Sequence, residues 1–299
     1  MRFGVIVFSA ASGAEWREKA RHFETVGFDY LHVPDHVGYF DPFAAVASAA
    51  AVTERIRVGT LVLNVEFWNP LLLARAAVTT QLLTGGRFDL GLGAGHAQVE
   101  FEQAGLRYPP AAERVRRLAA VARVIPRLAA GETIDDNQLG LQQASLGLPP
   151  TDLPLVIGGN GEGVMRVAGQ HADVASIVGF TSGTGQTHSN LSHWSWEGLR
   201  NRIEVVRRAA RDRREPPQVH VLIQFAAVTA DPAAAVTQWL GDDEAPELHL
   251  DSPFVLVGDE ERIDAHIAKL DQLGVTSMSV FEDSSDATAR IIGDRQRSS

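Results

Sequence analysis

The sequence predicts an α/β protein folded as a (β/α)8 barrel of the TIM type, with insertions in its βα and αβ loops. Three observations carry this expectation. Short apolar runs recur eight times, amphipathic stretches of helical period alternate with them, and 299 residues suit such a barrel as one domain spanning 1–299. An open, doubly wound sheet would show the same alternation, so periodicity alone leaves closure undecided.

The elements follow in order. The run "FGVIVF" (3–8) reads as a strand, and "GAEWREKARHFETVG" (13–27) as an amphipathic helix closed by Gly27. "DYLHV" (29–33) is a second strand, followed by an alanine-rich helix over 42–54. "IRVGTLVL" (56–63) is the third strand, and 69–85 a helix with Pro in its first turn. "RFDLGLG" (87–93) is the fourth, with a helix over 111–130. Further strands are expected at 153–159, 172–178, 218–228 and 276–281, with helices near 161–171, 196–213, 231–240 and 259–273. Two stretches interrupt the rhythm. Residues 131–152 fall on the N-terminal side of such a barrel. Residues 179–195, rich in Gly, Ser and Thr and holding Phe180 and Trp194, fall on the C-terminal side and suit a lid or substrate wall.

Composition narrows the classes. The hydrophobic content of 45% and charged content of 21% are those of a soluble globular chain. There is no cysteine, which excludes disulfides, thiolate catalysis and cysteine-bound metal. A net charge of −10 argues against a nucleic-acid surface and a polybasic membrane patch. No window approaches the length of a membrane span, and the first apolar run is too short for a signal peptide, so a cytoplasmic protein is expected.

In a barrel of this kind chemistry collects where strands end, because the βα loops build the pocket there. Asp35–His36 end the second strand, Leu61–Asn64 the third, Ala94–Gly95–His96 the fourth and Gly158–Gly159 the fifth. A histidine titrates near neutrality and passes protons, which favours His36 as an acid–base group over a turn residue. His96 either shares that work or lines the pocket. His32 sits within the strand on a core-facing position and reads as structural. His32 and His36 lack a third ligand, so no metal is expected. "GLGAG" (91–95) imitates a dinucleotide fingerprint without its final spacing or a ribose-binding acid. Phe8, Trp68, Phe180, Trp194 and Trp196 are candidates for an apolar wall, with scattered core packing as the alternative.

The segments "VPDH", "VGTLVLNVEFWNP", "GGRFDLGLGAGH" and "PLVIGGNGEGVMRVAGQHADV" resemble, in order and spacing, signatures of the luciferase-like monooxygenase superfamily. Within it they are most similar to the branch of oxidoreductases that use the deazaflavin coenzyme F420. The resemblance runs from residue 1 to about 180 and implies a (β/α)8 barrel, a small-molecule substrate and a homodimer. It implies hydride transfer, with reduction of a C=C or C=N bond as the expected reaction. His36 matches the histidine that assists proton movement beside the ring. Asp35 matches the ring-contacting acid before it, and Leu61–Val62 a bulge, often with a non-prolyl cis peptide, behind the ring. Asn64, Ala94 and Gly95 match further ring contacts. Gly158, Gly159, Gly161 and Glu162 match the loop and helix start that receive the cofactor's chain. His96 departs from the pattern, because relatives acting on sugar phosphates carry a glutamate there. The same resemblance admits an FMN-dependent monooxygenase or a non-catalytic flavin-binding protein as alternatives.

Overall fold

The structure is a computed structural model and describes residues 1–179, 194–240 and 247–298. Eight parallel strands form the barrel: β1 Arg2–Ile6, β2 Tyr30–Val33, β3 Arg57–Thr60, β4 Phe88–Gly93, β5 Leu155–Gly159, β6 Val174–Ile177, β7 Gln218–Leu222 and β8 Val275–Phe281. Each pairs with the next in chain order, and β8 pairs back onto β1. The sheet is therefore closed, and the open alternative is ruled out. The helices on the outside are α1 Gly13–Val26, α2 Pro42–Ala50, α3 Pro70–Leu83, α4 Ala111–Ala129, α5 Glu162–His171, α6 Trp196–Ala209, α7 Glu260–Gln272 and α8 Ser285–Ser298.

Local chemistry sets the helix ends. Ser12, Asp41, Asn69, Ser195 and Asp259 each turn a side-chain oxygen onto a free N–H of the first turn. Pro42 and Pro70 occupy first-turn positions, where no N–H is missed. Gly27 ends α1 at φ 104°, a left-handed value that a side chain would resist.

Several elements differ from the sequence expectation, among them the helices Gln98–Gln103 and Ser285–Ser298, which it does not include. The run 218–228 is not one strand, because β7 stops at Leu222. After Ile223 and Gln224, Phe225–Val228 pairs instead with Val255–Gly258, a strand the periodicity does not reveal. Residues 131–152 hold an antiparallel hairpin, Ile134–Asp136 with Leu141–Ala144. The candidate lid falls at 180–193, outside the described residues. Trp194, at its border, is core: it is buried against Phe254 and His249 and is no pocket wall.

The main apolar core lies between barrel and helices, filled from the strands by residues such as Leu31, Val33, Val58, Leu90 and Ile157. The inside of the barrel is different. At mid-height it carries a chain of buried polar groups. His32 Nδ1 meets Ser279 Oγ at 3.2 Å, Ser279 Oγ meets His220 Nε2 at 2.9 Å, and His220 Nδ1 meets Ser176 Oγ at 2.8 Å. Room for the rings comes from glycine: a β-carbon at Gly4 would stand 2.3 Å from Ser279 Oγ, and one at Gly59 would stand 3.4 Å from His32. His32 is the structural histidine the sequence suggests.

Burial holds both imidazoles neutral, lowering His32 to about 4 and His220 to about 3. The unfolded chain protonates its histidines near pH 6.5. Between those limits the unfolded state binds more protons, so stability must fall as pH drops from about 6.5 towards 4. Each histidine contributes a slope of up to about 1.4 kcal/mol per pH unit. Urea unfolding across this window should show the slope, and His220→Gln should flatten it. An unchanged slope in the variant contradicts the assignment.

Candidate active site at the mouth of the barrel

The site begins with an irregularity in β3. Gly59 pairs with Asp89, and beyond it Leu63 pairs with Leu92, so three residues, Thr60–Val62, stand opposite two, Leu90 and Gly91. This is a β-bulge, which re-aims side chains at a strand end. The Leu61–Val62 peptide within it is cis. Thr60 replaces the interrupted ladder, its Oγ1 donating to Gly91 O (2.9 Å) and accepting from Gly91 N (2.8 Å). Val62 reaches across neighbouring strands into space that glycine leaves. A β-carbon at Gly93 would lie 2.5 Å from its Cγ2, and one at Gly158 would lie 2.8 Å from its Cγ1. Leu61 joins Ile6, Val156 and Leu222 in a second buried apolar cluster, against which Phe8, Val62, Val178 and Phe281 pack. The barrel is thus closed at its upper end by an apolar floor.

Asp35 anchors the loop that follows the bulge. Its Oδ2 accepts from Asn64 N and from Trp68 Nε1, both at 3.1 Å. Burial pushes its carboxyl above the usual carboxylate range, against the opposing pull of these two hydrogen bonds. Asn64 is buried, caps the turn Val65–Phe67 by accepting from Glu66 N, and stands against Gly95. A β-carbon at Gly95, whose φ is 73°, would collide with that amide at 2.3 Å. Ala94 and Gly95 therefore pass close behind Asn64, and the third and fourth loops are fastened together.

His36 stands at the rim of the floor. Its Nδ1 is 2.7 Å from Glu100 Oε1, in a pair whose side chains are 28% and 13% exposed. Half-buried and held by a carboxylate, its ring is fixed in orientation while still reachable from solvent. It stacks at 6.2 Å on Phe8, which in turn touches Tyr39 and Phe281. His96 meets His36 edge-on at 5.7 Å. Surrounding protein lowers the His96 pKa by desolvation first and by the neighbouring His36 second, although the residue stays exposed at the rim.

Beyond the fourth strand the site continues to the start of α5. Gly161 is its N-cap and provides no capping side chain, leaving first-turn N–H groups open. Nothing lies within 4 Å of where a Gly161 β-carbon would point. Gly159 is more confined, since its β-carbon would meet Val164 at 3.0 Å. Glu162 turns away to Arg166 and is exposed. A cavity of about 510 Å³ opens between the starts of α5 and α6, lined by Asn160, Ser195, Arg202 and Arg208 among others. Asn160 is 3% exposed; its Oδ1 accepts from Gly179 N and Arg202 Nη1, while its Nδ2 has no partner among the described residues. Burial pushes the Arg202 guanidinium down to about 10, leaving it charged at neutrality.

The fold thus gathers every residue expected from the sequence on one face, in two neighbouring groups: Asp35, His36, Leu61, Val62, Asn64, Ala94, Gly95 and His96 at the mouth, and Gly158, Gly159, Gly161 and Glu162 at the fifth loop. Reading the sequence misses Glu100, Asn160 and Arg202. Glu100 lies 64 positions from His36, so only the fold brings them together. Asn160 stands inside the "GGNGEG" stretch, where its position alone was a signal.

Comparison with known proteins bears on the family and the fold. A family model described as luciferase-like monooxygenase matches residues 1–251. The chain is 29% identical over 175 residues to a 5,10-methylenetetrahydromethanopterin reductase of Archaeoglobus fulgidus, covering 58% of this chain and 52% of the relative. It is 34% identical over 177 residues to an F420-dependent glucose-6-phosphate dehydrogenase of Beutenbergia cavernae, covering 54% and 51%. The matches thus span about half the length of these curated relatives. A coenzyme F420 dependent tetrahydromethanopterin reductase from Methanopyrus kandleri shares the fold at a TM-score of 0.73 and 18% identity, covering 97% of this chain and 96% of the other.

The bulge depends on glycine at β4. Gly91→Ala would place a β-carbon 1.9 Å from Thr60 O, a backbone atom that cannot rotate away. Overpacking of this kind should cost about 3 kcal/mol in urea unfolding. A variant of unchanged stability would mean that the strands part more easily than this packing allows.

Proposed function

This chain belongs to the luciferase-like monooxygenase family, and on that premise we propose that it is an oxidoreductase that uses coenzyme F420 to reduce a C=C or C=N bond of a small organic substrate. The observation that carries the proposal is the His36–Glu100 pair at 2.7 Å beside an apolar floor built on the Leu61–Val62 bulge.

The residues present fit the cofactor. The apolar floor suits one face of a flat ring, and the polar rim of Asn64, Ala94 and Gly95 lies beside it. The unpartnered Nδ2 of buried Asn160, the open space at Gly161 and the cavity by Arg202 suit the phosphate-bearing chain. When bound, the deazaflavin supplies the hydride. The protein's part is to place and protonate. Glu100 fixes His36 through Nδ1, which leaves Nε2 to deliver a proton to the substrate. His96, the second imidazole, shares or tunes that proton. Asp35 is a positioning residue, because its carboxylate holds Trp68 and the backbone of Asn64. Phe8, Tyr39 and Phe281 give the substrate an apolar wall and exclude water.

A homodimer completes the proposal. α3 exposes Leu72 by 49% near its start and Leu82 by 42% and Leu83 by 76% at its end, apolar side chains that a second copy would cover. Leu83→Glu should then shift sedimentation towards the monomer, whereas identical profiles would place the contact elsewhere.

The cofactor is tested by titrating the apo-protein with F420 and with FMN. F420 should bind at least tenfold more tightly, about 1.4 kcal/mol; a preference for FMN would turn the reading to the monooxygenase alternative. His36→Ala should keep cofactor affinity within several-fold and slow turnover by roughly 10²–10⁴. Unchanged turnover would remove His36 from the chemistry.

A further inference from the structure

Eight stretches of sequence join the barrel strands to the helices that follow them, 7–12, 34–41, 61–69, 94–110, 160–161, 178–195, 223–259 and 282–284, and their described residues form the face on which the site lies. In all of them there is one cationic side chain, Arg107, and no lysine. Arg107 is exposed and ion-paired with Glu113. Residues 180–193, outside the described residues, add neither Lys nor Arg to this count. Carboxylates, by contrast, occur in the second, third, fourth, seventh and eighth stretches, with Glu100 paired to His36 and Asp35 next to it in sequence.

The helix-borne arginines closest to the mouth are committed. Arg114 donates to Gly95 O and Pro109 O and lies 4.2 Å from the Tyr108 ring centroid. Arg117 donates to Val65 O and Trp68 O and stands 3.7 Å from Glu66. These guanidiniums brace the loops from behind. The cavity between α5 and α6, where the proposed cofactor chain would go, does offer guanidiniums, Arg202 and Arg208, set among the carboxylates Glu162, Glu197 and Glu204. The mouth, where chemistry would occur, thus holds its nearby cations committed: Lys19 is paired with Glu282 and the His36 imidazole with Glu100.

We propose that the substrate is an uncharged or cationic organic molecule, such as a cyclic enone or a cyclic iminium ion, and that the mouth rejects phosphate esters and carboxylates. An anion finds no uncommitted lysine or arginine there, meets in His36 an imidazole already paired with Glu100, and faces carboxylates of its own sign. A cation or a neutral molecule with an apolar body meets Phe8, Tyr39 and Phe281 without that opposition. This rests on the reading of the mouth as the place where substrate is reduced. The redox balance is unchanged: reduced F420 would supply one hydride, which carries both electrons, to the electrophilic carbon, and would be left oxidised after release of one proton. An enone also needs the proton from His36, whereas an iminium ion becomes a neutral amine without one.

The test uses the whole protein saturated with F420 and two measurements. First, quenching of the bound cofactor's fluorescence by a cationic and an anionic nitroxide of equal size is compared with quenching of free F420. The cationic probe should gain at least threefold over the anionic one at low ionic strength, and the gain should collapse in high salt. Val37→Arg with Val99→Arg, at exposed rim positions beside His36 and Glu100, should abolish the gain. Second, reduced F420 is mixed with a cyclic enone, a cyclic iminium salt and an enone of the same body bearing a carboxylate. The carboxylate should lower kcat/KM at least tenfold relative to the neutral enone. Equal or preferential anion quenching, or efficient turnover of the carboxylate or of glucose 6-phosphate, would overturn the proposal while leaving the cofactor reading intact. If no probe turns over, the quenching ratio decides alone. Failure to bind F420 at all would overturn both.

Discussion

The candidate site depends on one packing constraint: Val62 must enter the space that Gly93 and Gly158 leave empty. A bulge alone would let β3 sag away from β4, since Thr60–Val62 has one residue too many for the ladder. Two things prevent this. The Thr60 hydroxyl bridges both polar groups of Gly91, so no backbone donor is orphaned. Asp35 reaches from β2's end to hold Asn64 and Trp68. The floor, the fastening of the third and fourth loops and the placement of Asn64 against Gly95 all follow from that seating. The His36 ring stands beside the result.

The interior below the floor shows how such a barrel tolerates polarity. Two histidines and two serines are buried there, yet each makes a hydrogen bond, so the cost of removing them from water is met locally. The glycines of β1 and β3 provide the volume. Neutral imidazoles at mid-barrel and a committed histidine at the rim are the same residue type put to opposite uses, separated by solvent access and by a carboxylate neighbour.

Most of the barrel was legible because buried parallel strands read as continuous apolar runs. The same property misled at 218–228, where "QVHVLIQFAAV" stays apolar through the point at which the chain leaves the barrel. Gln224 marks the exit: its side chain donates to Val178 O, and its backbone N–H to Phe254 O. Val255–Gly258 is too short, and too close to Pro253, to announce itself. The hairpin over 134–144 is half exposed and reads as polar chain. At the site, His36 could be singled out because a strand-end position carries chemical meaning, whereas Glu100 and Asn160 acquire theirs only from neighbours distant in sequence.

The excursion between β7 and β8 brings its own hydrogen bonding. Phe225–Val228 and Val255–Gly258 run parallel, with Pro232–Leu240 among the residues between them. The pair is joined to the barrel's end through Ala226 N and Ser284 Oγ. An insertion whose two strands pair with each other asks little of the barrel strands on either side. Chain can be added or removed between its two strands without shifting the register of β7 against β8. This makes the seventh loop an exchangeable module, through which one face of the mouth can diverge while the barrel keeps its geometry.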